Sequence, residues 1–571
     1  MSVALNLSGI GHYKKDLENV LSEIVEKKIV SRIWDKDYTL WSNDPKEISN
    51  RLGWLDSVYN SKKALPEIYD FVEGVKADGF KNALVLGMGG SSLAPEVFSL
   101  IFGSDERLLN VYVLDSTHPE AIKEYMDKLD LNETLFVVST KSGGTVETLS
   151  FTKYFYNQVK KHVDGENTGK YFAAVTDPGS GLEDLARSLN FRKIFVNDPN
   201  IGGRYSALSF FGLVPAALTG VDLETLLSRA EEAVSKSKIE SAEKITENNA
   251  AVLGGLMGVL AGEGIDKLTL LYSEKIKCFG AWLEQLVAES TGKNGKGILP
   301  VDFEGVHKPE LYRKDRLFVY VHLDDEKPFD REVFALKEKG FPVVEVILDD
   351  IYSLGAEYLY WEIATAIAGW KLGIQPFDQP NVESAKVQAR ALMAKYKEEG
   401  KLPNPESKFS EKGMKIYTDI NGNSIEEIIS NLFSSTDAGT DKVLYASLQA
   451  FVKPGEATFE VFQKLREKLQ KKYKIATTFG FGPRFLHSTG QLHKGDAGNG
   501  LFLQFISDGN NTKIDIPDEA GSDESGISFD VLIRAQALGD RQALLENDRK
   551  VITFDVDGNV DKAIEYIIEQ V

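Results

Sequence analysis

The sequence predicts an α/β protein with two doubly wound parallel sheets, followed by a C-terminal α/β unit. From about residue 80 onward, short apolar runs alternate with amphipathic segments, which is typical of parallel sheets covered by helices on both faces. The alternation starts again after the amphipathic segment 222–238, which indicates a second sheet of the same kind. Apolar runs return beyond a polar stretch at 397–413, and they indicate the third unit.

The first part of the chain contains a helical cap and the first predicted sheet domain. Residues 1–64 are mostly amphipathic and predict a helical cap packed around Trp34, Trp41 and Trp54, and residues 65–225 form the first domain. Its predicted strands are ALVLG (83–87), VYVLD (111–115), TLFVV (134–138), YFAAV (171–175) and KIFVN (193–197), with helices at 119–130 and 181–190.

Residues 226–396 form the second predicted domain. Its predicted strands are KLTLLY (267–272), RLFVYVHL (316–323) and VVEVIL (343–348), with helices near 279–290, 330–339 and 357–372. The two alternating blocks suggest an ancient doubling.

A linker and a third unit complete the chain. Residues 397–413 are polar, charged and contain proline and glycine, so we predict a linker there. The C-terminal α/β unit then spans 414–571. Its predicted strands are ATTFGF (476–481), LFLQFI (501–506) and VITFDV (551–556).

Composition limits the classes of function. A chain of 571 residues is too long for one ordinary core. Its 66 Lys and Arg against 86 Asp and Glu give a net charge of −20, which argues against nucleic acid or an anionic membrane as partner. The single cysteine, Cys278, excludes an intrachain disulfide and a thiolate zinc cluster. Neither a signal peptide nor an apolar run of membrane-spanning length is recognised, so we expect a cytoplasmic globular protein.

Two loops rich in glycine and hydroxyl groups follow predicted strands of the first sheet. The first is LGMGGSSL (86–93), and the second is STKSGGTVET (139–148). Each alone is a weak signal, because a turn with helix caps has the same composition. Both loops, however, lie at the carboxyl edge of one parallel sheet, where ligands bind in such folds. The pair therefore predicts an anion site.

The two loops, with three further segments, resemble the phosphoglucose isomerase family and its sugar isomerase (SIS) domains. The five resembling segments, in the family's order, are GMGGSS (87–92), STKSGGTVET (139–148), NIGGRYSALS (200–209), VAESTGK (287–293) and FDQPNVESAK (377–386). The resemblance implies that each of the two sheets belongs to a three-layer αβα SIS domain. It is greatest to the isomerase half of bifunctional transaldolase–isomerase proteins, which also carry GPRFLHSTGQLHKG (482–495). A transaldolase barrel is not expected, because the roughly 80 residues before the first loop are too few to form one.

The resemblance implies an aldose–ketose isomerase that interconverts D-glucose 6-phosphate and D-fructose 6-phosphate through a cis-enediol. It assigns Glu289 as the base, Arg204 as the group that stabilises the enediolate, and Lys386 and His487 as the ring-opening groups. An arginine between glycines suits developing negative charge, and a carboxylate suits proton transfer between adjacent carbons. Without the resemblance, Glu289 and Lys386 read as solvated helix residues and Arg204 as a structural partner of Asp198.

The resemblance also implies a set of residues that bind the sugar phosphate. Those are Gly90, Ser91, Thr140, Lys141, Ser142, Thr145, Glu147, Gln285, Gln379 and His493. Among them, Glu147 is expected to hold Lys386. No cofactor and no metal are expected.

The histidine is where the sequence departs from the family pattern. Ordinary members place the ring-opening histidine between the glutamate and the lysine, usually offered from a neighbouring subunit. That interval contains only His307 and His322, neither in a recognisable setting. The matching segment LHSTGQLHKG follows Lys386 and points to His487, with His493 as the second candidate. A core histidine at this position, or a lid formed by residues near it, stays open as an alternative.

Other functions remain open at this stage. Activity on mannose 6-phosphate depends on pocket details, and a non-catalytic sugar-phosphate sensor would not need Glu289, Arg204 and Lys386 together. The partner we expect is a small sugar phosphate, with no nucleic acid and no membrane. The sequence leaves a homodimer open, although the extension after Lys386 offers a way to complete the site within one chain.

Overall fold

Three large sheets and one short ribbon form the framework of the molecule. The structure, a computed structural model, describes residues 3–103, 108–163, 165–403, 405–434, 444–509 and 512–571. The strands are β1 (Val3–Gly9), β2 (Asn82–Gly87), β3 (Asn110–Leu114), β4 (Thr134–Ser139), β5 (Phe172–Thr176), β6 (Lys193–Val196), β7 (Lys267–Tyr272), β8 (Leu299–Val301), β9 (Arg316–Leu323), β10 (Val343–Leu348), β11 (Phe409–Glu411), β12 (Met414–Tyr417), β13 (Tyr445–Phe451), β14 (Ala476–Phe481), β15 (Gly500–Ile506), β16 (Asp515–Ile516), β17 (Ile527–Ser528) and β18 (Lys550–Val556).

Helices cover these sheets on both faces. They are α1 (Lys14–Glu26), α2 (Ile29–Trp34), α3 (Ser57–Ala77), α4 (Leu93–Phe102), α5 (Pro119–Lys128), α6 (Val146–His162), α7 (Gly181–Ser188), α8 (Phe210–Thr219), α9 (Leu223–Ser237), α10 (Asn249–Gly262), α11 (Phe279–Thr291), α12 (Asp330–Glu338), α13 (Leu354–Leu372), α14 (Val382–Glu399), α15 (Ile425–Ser434), α16 (Glu456–Tyr473), α17 (Gly490–Gly495), α18 (Phe529–Glu546) and α19 (Val560–Gln570).

The first sheet has the strand order β3-β2-β4-β5-β6, and all neighbouring strands are parallel. All five strands were predicted from apolar runs, and they are confirmed. Leu135, Phe136, Val137 and Val138 of β4 are fully buried, as expected for a strand with helices on both faces. The chain continues from β2 to one side of the sheet and from β4 to the other, so a crevice opens between their carboxyl ends.

The second sheet repeats this order and takes its last strand from the N-terminus. Strands β8, β7, β9 and β10 are parallel in that order, and β1 pairs antiparallel with β10. The prediction of a helical cap over residues 1–64 is therefore wrong for the first residues. Strand β1 covers an edge of β10 that would otherwise present unpaired backbone groups. The remainder of the segment is largely helical, and the Trp54 ring stacks on Tyr205 at 5.1 Å.

The third sheet shows the same order once more. Strands β14, β13, β15 and β18 are parallel, β12 pairs antiparallel with β18, and β11 extends the edge. The doubling suggested by the sequence is thus an arrangement that occurs three times. The linker predicted at 397–413 overlaps secondary structure at both ends, since α14 continues to Glu399 and β11 begins at Phe409.

Packing joins the three units into one body. The first and second units share one hydrophobic core, which extends from Val3 to Phe377. The third unit has a core of its own, but its helix α18 packs against helix α6 of the first unit, where the Phe529 ring stacks on Phe151 at 6.0 Å. This packing brings the carboxyl edge of the third sheet to that of the first.

Candidate active site

A cavity of about 490 Å³ opens at the carboxyl edge of the first sheet. Its walls come from all three units: the loops after β2, β4 and β6, helix α11, the α13–α14 connection, and the segment after β14. The volume lies within the range of about 300–1,000 Å³ that is typical of small-molecule sites. The predicted site residues that line it are Gly90, Ser91, Thr140, Lys141, Ser142, Thr145, Arg204, Gln285, Glu289, Gln379, Lys386 and His487.

The loop after β4 presents three hydroxyl groups next to the N-terminus of α6. Thr140 Oγ1 and Thr145 Oγ1 lie 2.9 Å apart, and Ser142 Oγ accepts a hydrogen bond from the Gly144 amide at 3.2 Å. A helix N-terminus carries unpaired amides and a partial positive charge, so hydroxyls placed there suit an anion. The arrangement places hydroxyl groups and helix amides, the kinds of donor that an anion accepts from, on one wall of the cavity.

Two cations lie beside this loop. Lys141 forms an ion pair with Asp177 and donates a hydrogen bond to the Pro199 carbonyl at 2.7 Å, so its charge is partly neutralised. Arg51 also lines the cavity and donates to Glu47 at 2.9 Å. Arg51 is not indicated by any sequence pattern, because it comes from the N-terminal segment and belongs to no recognised motif.

Gly90 is located where two loops of the site touch. A Cβ atom on Gly90 would lie 1.9 Å from the carbonyl oxygen of Gly203, which no real contact allows. The glycine therefore permits the loop after β2 to pack directly against the loop that carries Arg204.

The proposed base lies on α11. Gln285 and Glu289 are four residues apart and share one face of this helix. Gln285 Nε2 donates to Glu289 Oε2 at 3.1 Å and to the His487 carbonyl oxygen at 2.8 Å. Glu289 Oε1 lies 3.5 Å from Arg204 Nη1. Each carboxylate oxygen thus has a defined neighbour, and the carboxylate is held in one orientation at the cavity wall.

Arg204 is buried, with only 3% of its surface exposed. Its Nε donates to Ser290 Oγ at 2.8 Å, Nη1 donates to Gln379 Oε1 at 3.0 Å, and Nη2 donates to the Pro376 carbonyl at 2.6 Å. The alternative of a structural pair with Asp198 is wrong. These acceptors are neutral, and the carboxylate that pairs with the guanidinium is that of Glu289, at 3.5 Å. The positive charge of Arg204 therefore lies beside the proposed base, on the side of the cavity.

His487 reaches the same cavity from the third unit. Its Nε2 lies 3.0 Å from Glu147 Oε1. Burial raises the pKa of Glu147, but the charge and hydrogen bond of His487, a backbone hydrogen bond and the charge of Lys386 together lower it below its ordinary value. A carboxylate only accepts hydrogen bonds, so Nε2 of His487 carries a proton and Nδ1 is the nitrogen left for exchange. Glu147, which was expected to hold Lys386, accepts its hydrogen bonds from His487 and Gln536 instead.

The segment around His487 is fixed on both sides. Arg484 Nε donates to Asp115 Oδ2 at 2.6 Å, and the same guanidinium pairs with Glu96, both in the first unit. Gln491 Nε2 donates to the Gly292 carbonyl of the second unit at 2.9 Å. The segment therefore forms a fixed wall of the cavity.

Comparison with known proteins shows to which family the chain belongs. Residues 55–302 match the family model described as phosphoglucose isomerase. A probable glucose-6-phosphate isomerase of Methanococcus maripaludis is 31% identical over 379 residues, which cover 60% of this chain and 84% of that protein. The chain belongs to the phosphoglucose isomerase family. A glucose-6-phosphate isomerase of Streptococcus pyogenes is 29% identical over 400 residues, which cover 61% of this chain and 88% of that protein.

Solved structures agree in fold. A hypothetical protein from Thermus thermophilus superposes with a TM-score of 0.59 at 24% identity, covering 69% of this chain and 100% of that one. A glucose-6-phosphate isomerase from Chlamydia trachomatis superposes with a TM-score of 0.58 at 19% identity, covering 70% of this chain and 89% of that one. The narrower likeness to the isomerase half of bifunctional proteins stays a prediction.

The structure distinguishes among the candidate histidines of this phosphoglucose isomerase family member. Of the histidines in the described ranges, only His487 lines the cavity. His493 is buried in the third unit, 3.3 Å from Ser447 Oγ and 3.2 Å from Gln449 Nε2, so the prediction that it binds substrate is wrong. His493 lies on α17, and its ring contacts β13 of the third sheet rather than the cavity.

The described residues contain neither a metal-binding cluster nor a membrane-spanning helix. No group of three or more His, Cys, Asp and Glu side chains there has a geometry that would hold a metal ion. None of the helices in the same part of the chain is long and apolar enough to cross a membrane.

Proposed function

We propose that this chain interconverts D-glucose 6-phosphate and D-fructose 6-phosphate by proton transfer through a cis-enediolate. The observation that carries the proposal is the pairing of Glu289 with Arg204, at 3.5 Å, in the cavity whose opposite wall is the Thr140–Thr145 loop. A base beside a buried cation, with an anion site in the same cavity, suits a sugar phosphate whose carbons must exchange a proton. Membership of the phosphoglucose isomerase family supports the same reaction.

The phosphate fixes the substrate at the loop after β4. Hydroxyls of Thr140, Ser142 and Thr145 and the α6 N-terminus bind the dianion, and Arg51 adds charge at the rim. Fixing one end of the sugar limits the positions that its reacting carbons can reach.

Ring opening precedes the proton transfer. His487 exchanges a proton with the ring oxygen or the anomeric hydroxyl through Nδ1, while Glu147 holds Nε2. Lys386, which is exposed on α14 and lines the same cavity, contacts the sugar hydroxyls. These roles give the open-chain aldose on which Glu289 acts.

Glu289 then removes the proton from C2 of the open-chain aldose. The electrons of the C2–H bond form the C1–C2 double bond, and the charge gathers on the carbonyl oxygen O1, where Arg204 stabilises it. A proton moves from O2 to O1, and Glu289 returns its proton to C1, which gives the ketose. The reverse direction uses the same groups.

Glu289→Gln tests the proposal. The amide can keep the neighbour contacts but cannot take a proton, so we expect kcat to fall by about 10²–10⁴-fold while fructose 6-phosphate still binds. Turnover in both directions and calorimetric binding measure the two effects. Glu357→Gln is the matched control, because it makes the same change at a buried glutamate that accepts a hydrogen bond from Trp361.

Full turnover by Glu289→Gln would contradict the assignment of the base. Binding of fructose 6-phosphate by the wild-type protein without any isomerisation would contradict the enzymatic function as a whole.

A further inference from the structure

Gln536 connects the third unit to the carboxylate that holds His487. It lies on α18, and its Nε2 donates to Glu147 Oε1 at 2.7 Å. On its other side, Thr117 Oγ1 donates to Gln536 Oε1 at 2.7 Å. Gln536 and Glu147 are each 4% exposed and Thr117 is fully buried, so these bonds are largely shielded from solvent. The three residues form a buried polar contact between the first and third units.

The partners of Gln536 define its orientation. Thr117 donates to the amide oxygen, so the NH₂ group faces Glu147, where only a donor is favourable against an acceptor-only carboxylate. Glu147 Oε1 therefore receives two donors, Gln536 Nε2 and His487 Nε2. Two converging hydrogen bonds on a buried carboxylate restrict both its torsion angle and the angle of the imidazole that it holds.

The charged groups around Glu147 agree with this arrangement. His487 and Lys386 both act to lower the pKa of Glu147 against the effect of burial, which raises it. Gln536 is a neutral donor, so it orients the carboxylate without competing with His487 for its charge. A leucine would fill similar space in α18, whose residues Leu532 and Ala535 belong to a hydrophobic core shared with the first unit. The amide is thus not required for packing.

We propose that Gln536 is a positioning residue for ring opening, which aligns Glu147 so that His487 keeps Nε2 protonated and offers Nδ1 to the sugar ring. This inference rests on the proposed function. A residue with this role affects the ring-opening step and leaves the proton transfer at Glu289 intact.

A substrate that needs no ring opening separates the two steps. In 5-deoxyfructose 6-phosphate the oxygen that closes the furanose ring is absent, and O6 carries the phosphate, so this ketose stays open. For Gln536→Leu we expect kcat/KM for fructose 6-phosphate to fall about 10-fold or more, part of the 10²–10⁴ that general acid–base catalysis contributes. Its kcat/KM for the 5-deoxy sugar should stay within about 2-fold of wild type, on the same reasoning.

Gln536→Glu gives a second readout. A protonated carboxyl can donate to Glu147 as the amide does, whereas two ionised carboxylates repel, so the pair shares one proton at low pH. We expect this variant to approach wild-type turnover of fructose 6-phosphate near pH 5 and to lose it as pH rises. Gln536→Leu should be reduced across the whole range.

The ¹⁵N signals of His487, which need no substrate, give a third readout. We expect the wild-type protein to show protonated Nε2 and Gln536→Leu to show a mixture of both tautomers. Equal losses on the two sugars, or wild-type tautomer signals in Gln536→Leu, would overturn the inference. Wild-type protein that turns over neither sugar would instead contradict the proposed function, so the two failures are distinguishable.

Discussion

Single atoms determine how closely the loops of the site approach one another. Gly90 and Gly203 come from loops far apart in the chain, and the carbonyl of Gly203 occupies the space that a side chain on Gly90 would need. Around a Cβ built on Gly203, in contrast, no atom lies within 4 Å among the described residues. The same contact is therefore sensitive to substitution from one side only.

This asymmetry predicts different stabilities for two alanine variants. Gly90→Ala forces the two loops apart, and overpacking of this kind costs about 1–3 kcal/mol in the free energy of unfolding. Gly203→Ala adds a methyl group in open space and should change that free energy by less than about 0.5 kcal/mol, as for most substitutions away from packed features. Urea denaturation followed by tryptophan fluorescence measures both. Equal stability of the two variants would contradict the close contact.

The sequence predicted the site residues that lie in recognisable motifs and missed those that do not. Glu289, Arg204 and His487 are each in a segment that resembles the family, and all three line the cavity. Gln536 meets Glu147 across 389 residues of chain, and no local pattern indicates such a contact. His493 was included because it shares a motif with His487, but its side chain points into the third unit.

At the level of elements, α13 shows how burial and charge oppose each other. This helix is buried on nearly all sides, yet it carries Glu357 and Glu362. Glu357 is 2% exposed and accepts a hydrogen bond from Trp361 Nε1 at 2.9 Å. Burial raises the pKa of Glu357 from 4.5 to about 8, since one hydrogen bond does not replace the hydration of the carboxylate.

The raised pKa of Glu357 predicts that stability falls as pH rises. Below pH 4.5 the carboxyl is protonated in both the folded and the unfolded chain, and it has no effect. Between 4.5 and 8 the unfolded chain ionises first, which favours unfolding by about 1.4 kcal/mol per unit of pKa difference. Glu357→Gln should therefore be more stable than wild type by a few kcal/mol at pH 8, on that scale, and equal to it near pH 4.

Denaturation at a series of pH values tests this prediction. Glu73→Gln is the control, because it makes the same change at a glutamate of α3 whose side chain is 71% exposed. A constant stability difference between Glu357→Gln and wild type at all pH values would rule out the titration of Glu357 as its cause.

Most of the longer strands were predicted from their apolar runs, whereas β13 and β1 were missed for different reasons. Strand β13 was missed because Ser447 and Gln449 interrupt its apolar pattern, and both pair with His493 inside the third unit. Strand β1 was missed because its partner, β10, lies more than 300 residues away (Val3 pairs with Leu348). Periodicity reports burial on one face, and it carries no information about which distant strand supplies the partner.

At the level of the whole molecule, the third unit contributes His487 to a cavity that residues of the first and second units also line. Arg484 and Gln491 bind the His487 segment to the first and second units, respectively. The resemblance implied that the histidine is usually offered from a neighbouring subunit. Here Glu289 and His487 line one cavity within a single chain.

We therefore propose that each chain carries a complete site, whether or not the chain pairs with a second copy. Co-expression of Glu289→Gln and His487→Ala with different affinity tags tests this, with sedimentation to establish the oligomeric state. If the site lies within one chain, every chain in the mixture lacks one essential group, and activity should equal that of the two variants alone. A site shared between subunits would instead pair the intact Glu289 of one chain with the intact His487 of the other and restore activity. Wild type co-expressed with Glu289→Gln is the control for expression and tag effects, and it should retain activity in proportion to its wild-type chains.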